Sequence, residues 1–231
     1  MSTIDSSKTQ LFFGRRKGRG FRNNPYARIL ERLESLSVQR WQGQWPQELW
    51  LEIGFGSGEH LCQWLVQHPT RSVIGVEVFL NGLVHCVDSL PEHLEDRCAI
   101  FSDPIQALWP LLSESLLDGV ILFFPDPWPK RRHQDRRMVQ PNFLDQCAYC
   151  VKPGGAFHFA SDHNPLIQHT LKTLHAHPRW HCVDGATSAN PELWPSWPGD
   201  WPSSRYRDKA LEKNIPCAFS IWQEKAVQKP E

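Results

Sequence analysis

The stretch "ELWLEIGFGSGEHL", residues 48–61, decides the fold. An apolar run from Leu49 to Ile53 stops at three glycines, and a helix-like pattern resumes behind them. Gly54, Gly56 and Gly58 alternate with larger residues, which permits a tight turn and close approach of backbone to a ligand. A strand, such a turn and a helix form the opening unit of a parallel sheet with helical crossovers. A dinucleotide-binding turn requires glycine at 59, where this chain has Glu59. A bulky acid there argues against a pyrophosphate at the helix N-terminus.

Outward from this unit the alternation continues. Strand-like segments lie at 49–53, 72–78, 98–101, 119–124 and 155–160, and helix-like segments near 58–67, 81–89, 104–117, 141–151 and 164–176. That order predicts an α/β fold with a mostly parallel sheet and helices on both faces. "CAFSIWQEK", residues 217–225, reads as a last, antiparallel strand. "PYARILERLESL" sets Ile29, Leu30, Leu33 and Leu36 at helical spacing. Residues 187–203 are too rich in Pro and Trp for a regular element and read as a long loop. Residues 1–24 read as a flexible basic arm ahead of one domain over 25–231.

Composition narrows the class. With 40% hydrophobic and 22% charged residues the chain reads as soluble and globular. It has no apolar run long enough to span a bilayer and no apolar signal-peptide core, so a cytoplasmic protein is expected. Seven cysteines, an odd count without framework spacing, agree. Cys147 and Cys150 form a lone CxxC that reads as ordinary buried thiols, and no metal site is expected. Oligomeric state is open. Formal net charge is zero, yet Arg15, Arg16, Lys17, Arg19 and Arg22 crowd one stretch, and Lys130, Arg131, Arg132, Arg136 and Arg137 another. Two such blocks can give a neutral protein a polyanion-binding face.

The carboxylates point to the ligand. Glu52 sits inside the first apolar run, where an acid is costly unless paired or used. Glu77, Asp103 and Asp126 follow the second, third and fourth strand-like segments. Four acids thus close four strands on one rim. Glu77 stands where an acid can accept hydrogen bonds from both ribose hydroxyls of a nucleoside. The glycine turn itself resembles the cofactor loop of S-adenosylmethionine methyltransferases, whose cationic, amine-bearing cofactor suits an acidic rim.

The most specific stretch is "FFPDPWPKRRHQDRRMVQPNFL", residues 123–144. Together with "LEIGFGSGEHL", "GVEVFLNGL", "KPGG" and "FASDH" in the same order, it closely resembles the bacterial tRNA (guanine-N7-)-methyltransferases from about Leu49 to Ile221. "GRRKGR" resembles the basic N-terminal arm of some members. The resemblance implies a class I methyltransferase-like (Rossmann-like) fold. It also implies methyl transfer from S-adenosylmethionine to N7 of the guanine at position 46 of the tRNA variable loop. It gives Glu52, Glu77 and Asp103 cofactor roles beside the glycine turn of Gly54, Gly56 and Gly58. It puts Asp126 beside both cofactor and target base, and makes Lys130 and Asp162 tRNA contacts.

The family's late Thr-x-aromatic-Glu motif matches Ser204, Arg205, Tyr206 and Arg207, so here its glutamate has become arginine. Either Arg207 binds a phosphate, or Asp208 turns inward as the missing acceptor. Trp128 first and Tyr206 second are candidate stacking platforms for the base, whereas Trp194, Trp197 and Trp201 read as loop packing. His163 reads as polar support at the rim. Two other readings stand beside the leading one: a methyltransferase for another RNA, and an RNA-binding module with weak or lost catalysis. Arg207 favours the second, and the intact acids weigh against it.

Overall fold

The computed structural model describes residues 25–199 and 201–225, so the expected basic arm over 1–24 lies outside the described residues. Among the described residues seven strands form one sheet: β1 (Leu49–Ile53), β2 (Ser72–Val76), β3 (Cys98–Phe101), β4 (Leu117–Phe123), β5 (Val151–Ser161), β6 (Trp180–Gly185) and β7 (Ala218–Glu224). Their order is β3-β2-β1-β4-β5-β7-β6. The first five are parallel, and β7 runs antiparallel between β5 and β6. Seven α-helices accompany them among the described residues: α1 (Pro25–Ser35), α2 (Glu59–Gln67), α3 (Leu80–Ser89), α4 (Ile105–Leu108), α5 (Pro141–Cys150), α6 (Asn164–Ala176) and α7 (Arg205–Glu212).

The central strands follow from their sequences. Every residue of β1 and β2 is buried, as expected for strands covered on both faces. Alternate side chains of β1 enter different cores: Leu49, Leu51 and Ile53 join one cluster, and Trp50 joins the other. Trp50 also explains one of two small residues around it. The first is Gly119, where a Cβ would lie 2.4 Å from the Trp50 ring; the second, Gly75, owes its size instead to Leu61 and Phe55, at 2.5 and 2.7 Å from such a Cβ. Arg32 of α1 reaches across to Glu95 and to the Val87 carbonyl at the end of α3, closing the edge above β3.

Three expectations are corrected. The helix expected over 104–117 is only α4 followed by a 3-10 turn, Trp109–Leu111, because Pro110 offers no amide to continue it. β6 was missed, and it buries only Trp180 in full. α7 was missed as well: Ala210 alone is buried there, so no apolar stripe announces the helix. The Pro- and Trp-rich segment is irregular apart from a 3-10 turn, Pro191–Leu193. The expected antiparallel last strand is β7.

The winding order reverses between the parallel neighbours β1 and β4. Crossovers from β1 lead outward to β2 and β3, whereas β4 and β5 lie on the other side. Such a switch point opens a crevice at the carboxyl ends of the strands.

Candidate active site

The glycine turn after β1 lies at this crevice. Gly54, Gly56 and Gly58 have φ of 76°, 61° and 86°, a region that side chains rarely enter. Packing adds a second constraint, since a Cβ on Gly58 would lie 2.5 Å from Cys86 Sγ. α3 presses on the same turn, where a Cβ on Gly82 would approach the Gly56 carbonyl to 2.3 Å.

Glu77, just past β2, holds the turn. Its Oε2 accepts from the Gly56 amide at 2.8 Å, and its Oε1 accepts from the Val78 and Phe79 amides, each at 2.8 Å. A carboxylate offers about four lone-pair sites, so roughly one remains, at Oε2. Burial raises the Glu77 pKa, the three amides oppose that shift, and the Asp126 charge adds to it.

Two chambers open from the turn. One, of about 310 Å³, is lined by Glu77, Asp126, Trp128, Arg136 and Tyr206, with Ile53, Val76, Ile105 and Leu122 among its apolar walls. The other, of about 410 Å³, is lined by Glu52, Ser57, His60, Asn81, Arg205 and Lys209 among others. Gly54, Gly56, Phe79, Phe123, Phe124 and Tyr206 border both.

Asp126 is open to solvent on one side, while desolvation by the wall behind it raises its pKa above the ordinary aspartate value. Its backbone is unusual. Phe124 and Trp128, two residues to either side, both have positive φ, 50° and 43°, without being glycine. Arg136 lies 5.2 Å from the Trp128 ring centre. Arg137, expected to meet phosphate with its basic neighbours, is instead buried, at 2% exposure. It donates through Nε to the Pro127 carbonyl at 3.2 Å and through Nη1 to the Pro165 carbonyl at 3.1 Å.

Glu52 is 3% exposed, and His60 Nδ1 of α2 lies 3.1 Å from its Oε1. That contact is an ion-pair distance rather than an aligned hydrogen bond. Among the described residues, Glu52 Oε2 and both His60 nitrogens lack hydrogen-bond partners. Asp103 is exposed and lines neither chamber; Pro104, Ile105 and Gln106 line the first one instead. The expected rim of four acids is thus two acids in one chamber, one in the other and one outside both.

The remaining expected residues separate further. Lys130 is exposed at the start of the 3-10 turn Arg131–Arg136, and Asp162 is half-buried after β5; neither lines a chamber. His163 caps α6 by accepting from the Leu166 amide at 3.3 Å. Ser204 caps α7 by accepting from the Arg207 amide at 3.2 Å. Ser204, Arg205, Tyr206 and Lys209 border the second chamber, whereas Arg207 and Asp208 border neither. The Arg207 guanidinium lies 4.8 Å from the Trp197 ring centre and donates to Ser203 Oγ, which itself donates to Asp208 Oδ1.

Tyr206 stacks on Phe124 with ring centres 6.3 Å apart and planes at 18°. Its phenol pKa is raised by burial and then by the charges of Asp126 and Glu77. Trp197 and Trp201 pack against Phe123 and Phe219, as the packing reading expected. Trp201 also stacks at 4.8 Å on His158, whose pKa burial pulls down to about 3.

Cys147 and Cys150 are free and buried, and burial pushes the Cys150 thiol up to about 12. Among the described residues no group of three His, Cys, Asp or Glu could hold a metal ion, and no helix is long and apolar enough to cross a membrane. The sequence reading missed His60, Asn81 and His85. The last two are polar positions one turn apart on a mostly apolar helix, a pattern that could have marked them.

An S-adenosylmethionine-sized ligand fits this donor set. The orphaned Glu52 Oε2 and the remaining Glu77 lone pair can accept from an amine and a hydroxyl, and the apolar walls of the first chamber suit an adenine ring.

Comparison with known proteins agrees. A family model described as "Putative methyltransferase" matches residues 46–215. The tRNA (guanine-N(7)-)-methyltransferase of Rhodospirillum rubrum is 35% identical, over 92% of this chain and 87% of the relative. That of Azorhizobium caulinodans is 38% identical, over 87% and 89%. Among solved structures, a Thermoplasma acidophilum methyltransferase matches with a TM-score of 0.52 at 18% identity, over 82% of this chain and 76% of that one. The 16S rRNA methyltransferase KamB matches at 0.51 and 14% identity, over 81% and 92%. These structural likenesses establish the fold alone.

Proposed function

The chain belongs to the family of bacterial tRNA (guanine-N7-)-methyltransferases, and on that premise we propose that it methylates N7 of the guanine at position 46 in the tRNA variable loop. S-adenosylmethionine is the cofactor and, when bound, supplies an electrophilic methyl group. The carrying observation is one chamber that combines the Glu77-braced glycine turn, Asp126 and the exposed ring of Tyr206.

Guanine N7 presents a lone pair and no proton, so no general base is needed. The residues must hold the base in line and exclude water, which is catalysis by proximity and orientation. Positive charge develops on the guanine as N7 is alkylated. Asp126, held against a desolvating wall, stabilises that charge, and it can accept from the guanine N1–H or exocyclic amine. Tyr206, stacked on Phe124, offers the base a platform ahead of Trp128, which Arg136 already covers on one side.

We assign the cofactor to Gly54, Gly56 and Gly58, to Glu77, and to Glu52 as acceptor for an amine. Asp103 stays outside this set. We assign phosphate contacts to the exposed Lys130, Arg131 and Arg132 and, from their charge alone, to Arg15, Arg16 and Lys17, in a cytoplasmic tRNA enzyme. The lost-catalysis reading rested on Arg207, and the contacts of Arg207 with Trp197 and Ser203 account for that residue without it.

The test is incubation with methyl-labelled cofactor and unmodified tRNA, followed by mapping of the label. Label as 7-methylguanine at position 46 is expected. Label at another base, or none, would refute the proposal.

A further inference from the structure

Arg137 stands in a run of basic residues whose neighbours Arg131 and Arg132 are exposed, yet its own guanidinium is buried. Burying a cation costs several kcal/mol unless its donors are met. Here two donors reach two carbonyls on different segments. Pro127 follows Asp126 directly, and Pro165 lies in the first turn of α6, three residues past Asp162. One rigid fork therefore ties the Asp126 loop to the Asp162 turn. Both carbonyls belong to prolines, whose fixed φ leaves little slack between the anchored oxygen and the neighbouring backbone.

The loop needs such an anchor. Phe124 and Trp128 hold left-handed conformations that are costly for bulky residues and persist only where surroundings over-determine them. Relaxation of either would swing Asp126 away from the chamber. A lysine offers one ammonium on a flexible stem, without the planar fork that fixes two donor directions at once.

We propose that Arg137 is a positioning residue for methyl transfer, acting through Asp126, and not a ligand of tRNA phosphate. The inference rests on the methyl-transfer reading above. Wild-type transfer to tRNA in the same assay tests that reading separately, because its failure would leave no wild-type product at all.

The experiment uses the full-length Arg137→Lys and Arg137→Gln variants, each alone, and Arg137→Lys combined with Asp126→Asn. Calorimetric stoichiometry with S-adenosylmethionine sets the active fraction. Single-turnover transfer at saturating tRNA is then measured, together with the salt dependence of tRNA binding. Transfer by both single variants should fall about 10- to 100-fold, the scale of a misplaced reacting group. The log–log salt slope should equal that of wild type. The double variant should transfer no more slowly than Asp126→Asn alone, because both changes act through one carboxylate.

A salt slope reduced by about one with transfer preserved would make Arg137 a phosphate ligand and overturn the proposal. Transfer within twofold of wild type, or multiplicative losses in the double variant, would overturn it as well. Loss of S-adenosylmethionine stoichiometry in both single variants would make Arg137 an element of the whole fold, again against the proposal.

Discussion

The two sides of the cleft are built in opposite ways. The floor is backbone: three glycines at positive φ, braced by one carboxylate that accepts three amides, with α3 packed against the turn. The roof is α7, a short polar helix that buries only Ala210 and is held by a serine cap and by ring contacts. A floor tied to the central sheet opens only at high cost, whereas a roof with so little burial belongs to the low-stability end of the molecule. The floor therefore suits a small cofactor bound in one geometry, and the roof suits a large nucleic acid that must enter and leave. Asp126 lies where they meet.

Perturbing that meeting point should have the largest effect. Asp126→Asn removes charge and little volume, so turnover should fall about 100- to 1000-fold, the usual scale for losing one electrostatic stabiliser, with cofactor affinity kept. Product assays and calorimetry on the same sample read both. Equal losses in turnover and cofactor affinity would break the division between floor and meeting point.

Glu77→Ala strikes the floor. It frees the amides of Gly56, Val78 and Phe79 and removes the hydroxyl acceptor. Cofactor affinity should drop by about 1.5–3 kcal/mol, roughly 10- to 150-fold, while tRNA binding is unchanged. An unaltered calorimetric constant would show that the brace is dispensable.

Ser204→Ala strikes the roof. Loss of the cap costs α7 about 1 kcal/mol. The Michaelis constant for tRNA should rise several-fold and turnover little. A change in cofactor affinity alone would place α7 with the floor.

The smallest effects should come from Arg207→Ala and Asp208→Ala, whose side chains line neither chamber and share Ser203. Each should alter turnover by less than about threefold, within the ordinary range of surface substitutions. A large loss of turnover in Asp208→Ala, with Arg207→Ala tolerated, would instead make Asp208 the missing guanine acceptor.

The same contrast decided what could be read from the sequence. β1 and β3 end where their apolar runs stop, because burial on both faces of a parallel sheet leaves an unbroken apolar run, and α6 follows its own helical period. The glycine turn was legible for the same reason, since its conformations exclude other residues. α7 and β6 were not: one buried residue in each leaves no period to detect. Asp103 follows β3 as Glu77 follows β2, yet it is exposed and borders neither chamber, and strand order alone does not say which way a turn residue points. Arg137 carries the sharpest lesson. A charge run has no direction, and only the local turn sends Arg136 to the chamber wall and Arg137 inward to two carbonyls.

The central claim, that an ionised Asp126 stabilises charge developing on the base, is tested most directly by the pH dependence of single-turnover transfer at saturating cofactor and tRNA. Desolvation raises the Asp126 pKa, so the carboxylate takes up its proton at higher pH than an ordinary aspartate, and the stabilising charge is lost as pH falls through that raised value. The wild-type rate should show an acid limb above the ordinary aspartate range, and Asp126→Asn should be slow and lack that limb. The same limb in Asp126→Asn, or a wild-type rate that stays level down to the ordinary aspartate range, would contradict the account.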